Sequence, residues 1–183
     1  LSDPQGRFVN PGHMVESMWF CLDTNRRLKN SEYQKKIINV IDWAYEIGYD
    51  MEYNGIYAFV DVEGGKPLQP LDWYEECNCA WNDKVWWPNS EALCAFAMAY
   101  ADTGEERFGE MFEKQHRFCR DHFYDPEYGE WYSFLNRDGS VKSPEKGSKW
   151  KCAFHVLRAL VFTYEAMQRA DQREKAIEHY TKQ

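Results

Sequence analysis

Apolar residues recur at helical spacing in six stretches of the chain, and two intervening segments break that pattern. Val15, Met18, Trp19 and Leu22 predict a helix from His13 to Leu28 behind a Pro-Gly start. Ser31 reads as the cap of a second helix running to about Ile47, which Gly48 ends. Helical periodicity returns from about Pro88 to Ala101, breaks at Thr103-Gly104, and resumes from about Glu106 to His122. The last stretch, from about Lys151 to Ala170, is strongly apolar, and a shorter charged helix is expected from about Gln172 to Tyr180.

The interruptions have a different character. Residues 50–82 contain alternating runs such as IYAFVDV, broken by Gly64-Gly65, Pro67 and Pro70, which predicts short strands and long loops. DPEYGEWYSFLNRDGSV holds a second alternating run followed by Asp138-Gly139, a pair suited to a tight hairpin turn. The chain therefore reads as all-α: three helix hairpins, each an apolar first helix and an amphipathic second one, with β-rich excursions between them. The unit recurs every ~65 to 75 residues, the mark of stacked repeats in a toroid or solenoid. The apolar helices would form an inner layer and the amphipathic ones an outer layer facing water. Three hairpins do not close a ring, and LSDPQGRFVNPGH reads as though cut from something longer.

Composition narrows the partners. The 183 residues are 44% hydrophobic and 17% aromatic, enough for one packed core. A net charge of −8 argues against a nucleic-acid partner, which needs clustered Lys and Arg, and favours a neutral small molecule. No 18-residue apolar span and no secretory leader is evident, so a cytoplasmic protein without a membrane segment is expected. The six cysteines are scattered and predicted to be reduced thiols. Cys77 and Cys79 lack a second pair at zinc-ligand spacing, and no metal is expected.

Each apolar helix begins with residues of catalytic type: PGHMVESMW, WWPNSEALC and WKCAFHVLR. His13 and Glu16 lie i, i+3 on one face, where a carboxylate can fix the tautomer of an imidazole. Phe20 follows another turn along the same side. Trp87 and Glu91 are i, i+4, a pairing suited to a sugar, whose C–H faces stack on an indole while a carboxylate accepts its hydroxyls. His155 and Arg158 repeat the i, i+3 spacing among apolar neighbours. Each motif also has a plain structural reading: a capped helix start, core tryptophans, a satisfied core histidine. His116, His122 and His179 sit among charges and read as surface residues.

Together and in this order, PGHMVE, WWPNSE and FHVLR resemble the N-acylglucosamine 2-epimerase family, also called renin-binding protein, from Asn10 to about Ala170. The resemblance implies an (α/α)6 toroid of which residues 1–183 are the C-terminal half. It implies that His13 and His155 exchange a proton with C2 of an N-acylated amino sugar from opposite faces, and that Glu91 is important for activity. A centre beside a carbonyl is epimerised by removing one proton and returning another on the other face, so two acid/base groups must flank it. Glu16, Trp19, Trp87 and Arg158 are the expected substrate-binding residues, with Arg158 the local candidate to stabilise an enediolate-type intermediate. No cofactor is needed for proton transfer; the resemblance allows ATP as an allosteric activator. A homodimer, or association with a missing N-terminal half, is expected.

Other readings stand beside this one. WKC resembles the cellobiose 2-epimerase branch, and Leu157 and Ala153 depart from residues common in the N-acylglucosamine branch, so a related aldose or cellobiose epimerase or isomerase is the near alternative. A sugar-binding or hydrolytic (α/α)6 protein with paired carboxylates is a second, and an inactive fragment or interaction module a third.

Overall fold

A computed structural model of the protein describes residues 2–69 and 78–181, the last three by their backbone alone. The expected metal-free Cys77 falls outside these residues, as does most of LDWYEECNCAW. Among the described residues five α-helices carry the chain: α1 (Pro11–Leu28), α2 (Ser31–Gly48), α3 (Trp86–Thr103), α4 (Glu106–Phe118) and α5 (Phe154–Thr181). Short strands link them: β1 (Phe8–Val9) pairs antiparallel with β2 (Val60–Asp61), while β3 (Lys84–Val85), β4 (Phe134–Leu135) and β5 (Val141–Ser143) form a three-stranded sheet. Among the described residues Cys21, Cys94, Cys119 and Cys152 are free thiols.

α3 is the central element. Every residue from Pro88 to Ala99 is buried, because α3 packs against α1, α4 and α5 at once. A helix apolar all round requires neighbours on every side. Its first and second turns are pinned by Asn89, whose Oδ1 accepts from Ile56 N (2.8 Å) and whose Nδ2 donates to Val85 O (2.8 Å). Gln115 of α4 donates to Asn89 O (2.9 Å). The excursion after α2 is thereby stitched to the start of α3.

The helix ends follow local chemistry. Asn10 caps α1 by accepting from His13 N (2.9 Å), with Pro11 in the first turn. Asn30, rather than the expected Ser31, caps α2, accepting from Glu32 N and Tyr33 N. Gly48 is the last residue of α2, and its role is close approach: a Cβ there would lie 2.5 Å from Pro11 Cβ. Gly104, in the left-handed region at φ 75°, stops α3 as Thr103-Gly104 predicts.

Two expectations change. α4 stops at Phe118, and a five-residue π turn, Cys119–Phe123, follows and sets both Cys119 and Phe123 into the core. The third hairpin does not form, because α5 runs unbroken through the position where a second helix was expected. Residues 171–172 contain no Gly or Pro, Lys175 pairs with Asp171 across one turn (2.6 Å), and Arg173 donates to Tyr100 O (2.7 Å) and Ala101 O (3.1 Å) of α3. The described fold is thus two hairpins, α1–α2 and α3–α4, closed by one long helix.

Both excursions return the chain to a helix start. Trp86 N donates to Ser133 O (3.1 Å), so the β3–β4–β5 sheet spans from the residue before α3 to the segment leading into α5. An ion cluster built on the fully buried Lys84–Asp50 pair, with the half-exposed Arg137 on its outer side, locks them together. Lys84 Nζ donates to Asp50 Oδ2 (3.1 Å) and Gly55 O (3.2 Å) and lies 4.1 Å over the Tyr57 ring. Arg137, just beyond β4, donates to both oxygens of Asp50 (2.8 and 3.2 Å).

Candidate active site

Three helix starts converge. A Cβ on Gly12 would lie 2.7 Å from Pro88 Cβ and 2.9 Å from Trp87, so only glycine lets the first turns of α1 and α3 come this close. The contact brings His13, exposed on α1, onto the half-buried Trp87 (ring centroids 4.7 Å). His155 of α5 lies on the same indole (5.6 Å). Trp87 therefore contacts both histidines.

Glu91 is the hub behind them. Its side chain is wholly buried, and both oxygens are engaged: Oε2 accepts from Trp19 Nε1 (2.7 Å), while Oε1 accepts from Arg158 Nη2 (2.6 Å) and faces His155 Nδ1 (2.7 Å). A carboxylate only accepts, so Nδ1 is the donor towards Glu91, and in the neutral ring Nε2 is then the basic nitrogen. That is the form a general base requires. Arg158 also donates to Glu16 Oε1 (2.5 Å), tying α1, α3 and α5 through one guanidinium. Burial works against the charge on Arg158, but the hydrogen bonds to Glu91 and Glu16 outweigh it and raise its pKa above the usual guanidinium value.

The expected residues are placed as follows. His13, Trp87, Glu91, His155, Arg158 and Glu16 come together, but the imidazole–carboxylate pair is His155–Glu91, not His13–Glu16. Glu16 faces Arg158 instead. Trp19, expected to touch substrate, is 1% exposed, and its N–H is spent on Glu91, so it supports that carboxylate from within the core. Phe20 and Phe154, not singled out from the sequence, lie on Arg158, with ring centroids 5.1 and 4.1 Å from its Cζ. Phe20 did share the His13–Glu16 stripe, the one signal that pointed to it. Asn89 and Gly12 were hidden inside the quoted motifs.

Glu16, Glu91 and His155 place three potential donor atoms within 4.8 Å of one another. A divalent cation does not fit them: the guanidinium of Arg158 already contacts all three, and the Nδ1 of His155 is the protonated nitrogen. His116 is exposed as expected, whereas His122 is half-buried against Gly139, its Nδ1 3.2 Å from Gly139 O.

The fold and this helix-start site place the chain among proteins of the (α/α)6 toroid class. The crystal structure of D-mannose isomerase superposes with a TM-score of 0.73 at 22% identity, over 86% of this chain and 37% of that one. Cellobiose 2-epimerase from Bacillus thermoamylovorans B4167 superposes at 0.72 and 17%, over 88% and 40%. Within that class the family model for N-acylglucosamine 2-epimerase (GlcNAc 2-epimerase) matches residues 3–159, and the chain belongs to this family. The N-acylglucosamine 2-epimerase of Mus musculus is 38% identical over 156 residues, 85% of this chain and 35% of the relative. That of Homo sapiens is 34% identical over 163 residues, 88% and 36%. The chain spans a little over a third of the length of these curated relatives. No helix among the described residues is long and apolar enough to cross a membrane.

Proposed function

We propose that this chain carries the acid/base half of a sugar 2-epimerase that interconverts N-acetylglucosamine and N-acetylmannosamine. The observation that carries the reading is His155: its Nδ1 faces a buried carboxylate, and it shares one indole, Trp87, with a second imidazole, His13. In the open-chain sugar the C2 proton is acidified by the C1 carbonyl. One histidine removes it, giving an enolate, and the other protonates the opposite face. Trp87 offers its ring to the sugar's C–H face, and Arg158 supplies positive charge near the developing oxyanion. Glu91 has both oxygens occupied, so its part is to hold His155, not to take the proton itself. One proton leaves to one histidine and another is delivered by the other, and ATP, an activator by resemblance, has no part in that exchange.

The hydrolytic alternative needs one carboxyl free to protonate a leaving group. Here Glu16 and Glu91 both accept from the same guanidinium, which suits neither to that task. The same two histidines would equally serve an aldose or cellobiose 2-epimerase, and substrate choice separates those readings.

We also place residues 1–183 as the C-terminal part of a single (α/α)6 barrel. Leu157, Leu160, Val161 and Tyr164 on α5, and Leu28 and Tyr33 along α1–α2, are exposed apolar residues on the two flanks of the layer, where further hairpins would pack. A small-molecule amino sugar is then the ligand, and the remaining hairpins or a second subunit the macromolecular partner. The test is solvent exchange: the complete protein in D2O should place deuterium at C2 of both 2-acetamido sugars, read by NMR. Absence of exchange with every 2-acetamido sugar, alongside exchange with an unsubstituted aldose or cellobiose, would move the assignment to the neighbouring branch.

A further inference from the structure

A substituent on the reacting carbon must lie beside the group that moves its proton. The acyl methyl sits about 3.8 Å from C2 across a trans amide. The base in turn approaches C2 to about 3–3.5 Å. The acyl methyl is therefore confined to within about 7 Å of the histidine nitrogen.

Phe154 occupies that zone, and Phe20 meets it on the guanidinium of Arg158. Phe154 stands edge-on to His155 with ring centroids 5.0 Å apart and is 53% exposed. Phe20, 46% exposed, comes from α1, stacked on Trp19 at 3.9 Å. The Arg158 guanidinium, held by Glu16 and Glu91, lies against both rings. Of the exposed apolar side chains described on α1 and α5, these are the two whose rings lie on Arg158. An exposed ring beside a charged hydrogen-bonded network is poorly placed for water but well placed for a small apolar group next to an amide.

Resting on the epimerase reading above, we infer that Phe20 and Phe154 form the wall that receives the N-acyl methyl and sets which acyl group is accepted. The pocket is built by two helices, with Arg158 as its floor, and it distinguishes acylated amino sugars by the length of the acyl chain.

The test uses the full-length enzyme and three substrates: N-acetyl-, N-propanoyl- and N-butanoylmannosamine. Phe154→Ala and Phe20→Ala should each lower kcat/KM for the N-acetyl sugar by roughly 10- to 100-fold, the range one or two methylenes command in an apolar pocket. The loss should shrink as the acyl chain lengthens and fills the space, and Phe154→Leu should fall between. A loss equal for all three chains, or none, overturns the inference, the first because it marks a merely structural role and the second because the rings face something other than substrate. If the unsubstituted enzyme exchanges no C2 proton of any acylated amino sugar, the epimerase reading fails and this inference with it. Activity with acyl-insensitive variants overturns this inference alone.

Discussion

At the scale of single residues, Glu91 decides more than its neighbours because one carboxylate fixes a tautomer, neutralises a guanidinium and anchors an indole. Glu91→Gln keeps the shape but gives the amide a donor that can bind Nδ1 of His155 and send the proton to Nε2. We expect kcat to fall by about 100- to 10,000-fold with little change in KM, the span of a lost general base, measured by steady-state epimerisation in both directions. The two histidines are separable by isotope. In D2O, His13→Ala and His155→Ala should each abolish epimerisation, yet each should still wash deuterium into one epimer and not the other. Exchange into both epimers by either variant would mean that one histidine serves both faces. Lys84 offers a further check, on stability. Burial pushes its ammonium down to about 7, against the pull of Asp50. Burial also opposes the charge of Asp50, but the hydrogen bonds from Arg137 and Lys84 hold that carboxyl well below its usual range. With a folded value near 7 and an unfolded one near 10.4, the unfolded chain binds more protons between them, so the Lys84 contribution grows more favourable as pH rises through that window. Denaturant titrations should show the stability difference between the native protein and Lys84→Met widening from pH 7 towards 10, and flat below 7.

At the scale of elements, the site is an encounter of helix starts, and the tightest point is Gly12. Gly12→Ala places a methyl 2.7 Å from Pro88 Cβ, and α1 must move off α3. We expect about 1–3 kcal/mol of destabilisation by calorimetry, the usual effect of overpacking, together with loss of activity as His13 leaves Trp87. Much of this was legible beforehand. The 3.6-residue period marks α1 to α4 to within two residues except at the end of α4, and i, i+3 and i, i+4 spacings put His13, Glu16, Trp87, Glu91, His155 and Arg158 at helix starts. What sequence spacing does not carry is the partner across helices. His13 and Glu16 share a face, but Arg158 lies nearer to Glu16, and only packing reveals it. Trp19 was expected to touch substrate, whereas packing buries it and spends its N–H on Glu91. The break predicted after Ala170 failed because a rise in charge is not a helix stop without Gly or Pro, and because Arg173 docks on the end of α3.

At the scale of the whole molecule, the layer has a covered side and an uncovered one. α3 is enclosed, whereas α5 exposes Leu157 (62%), Tyr164 (64%) and Val161 (48%) along one stripe. Residues 1–183 expressed alone should therefore self-associate through this face. Sedimentation velocity should show concentration-dependent association that Leu157→Lys with Val161→Glu abolishes; persistence of the association would locate the contact elsewhere.

The salt bridges of Arg158 to Glu16 and Glu91 run from α1 through α3 to α5, so the candidate site has no private scaffold. Many enzymes lose activity on warming before they unfold, because the site sits on a loop that melts first. Here the site cannot loosen unless the helical layer separates. Inactivation on heating should coincide with the loss of helical circular dichroism, and a protein warmed to just below that transition should still be fully active.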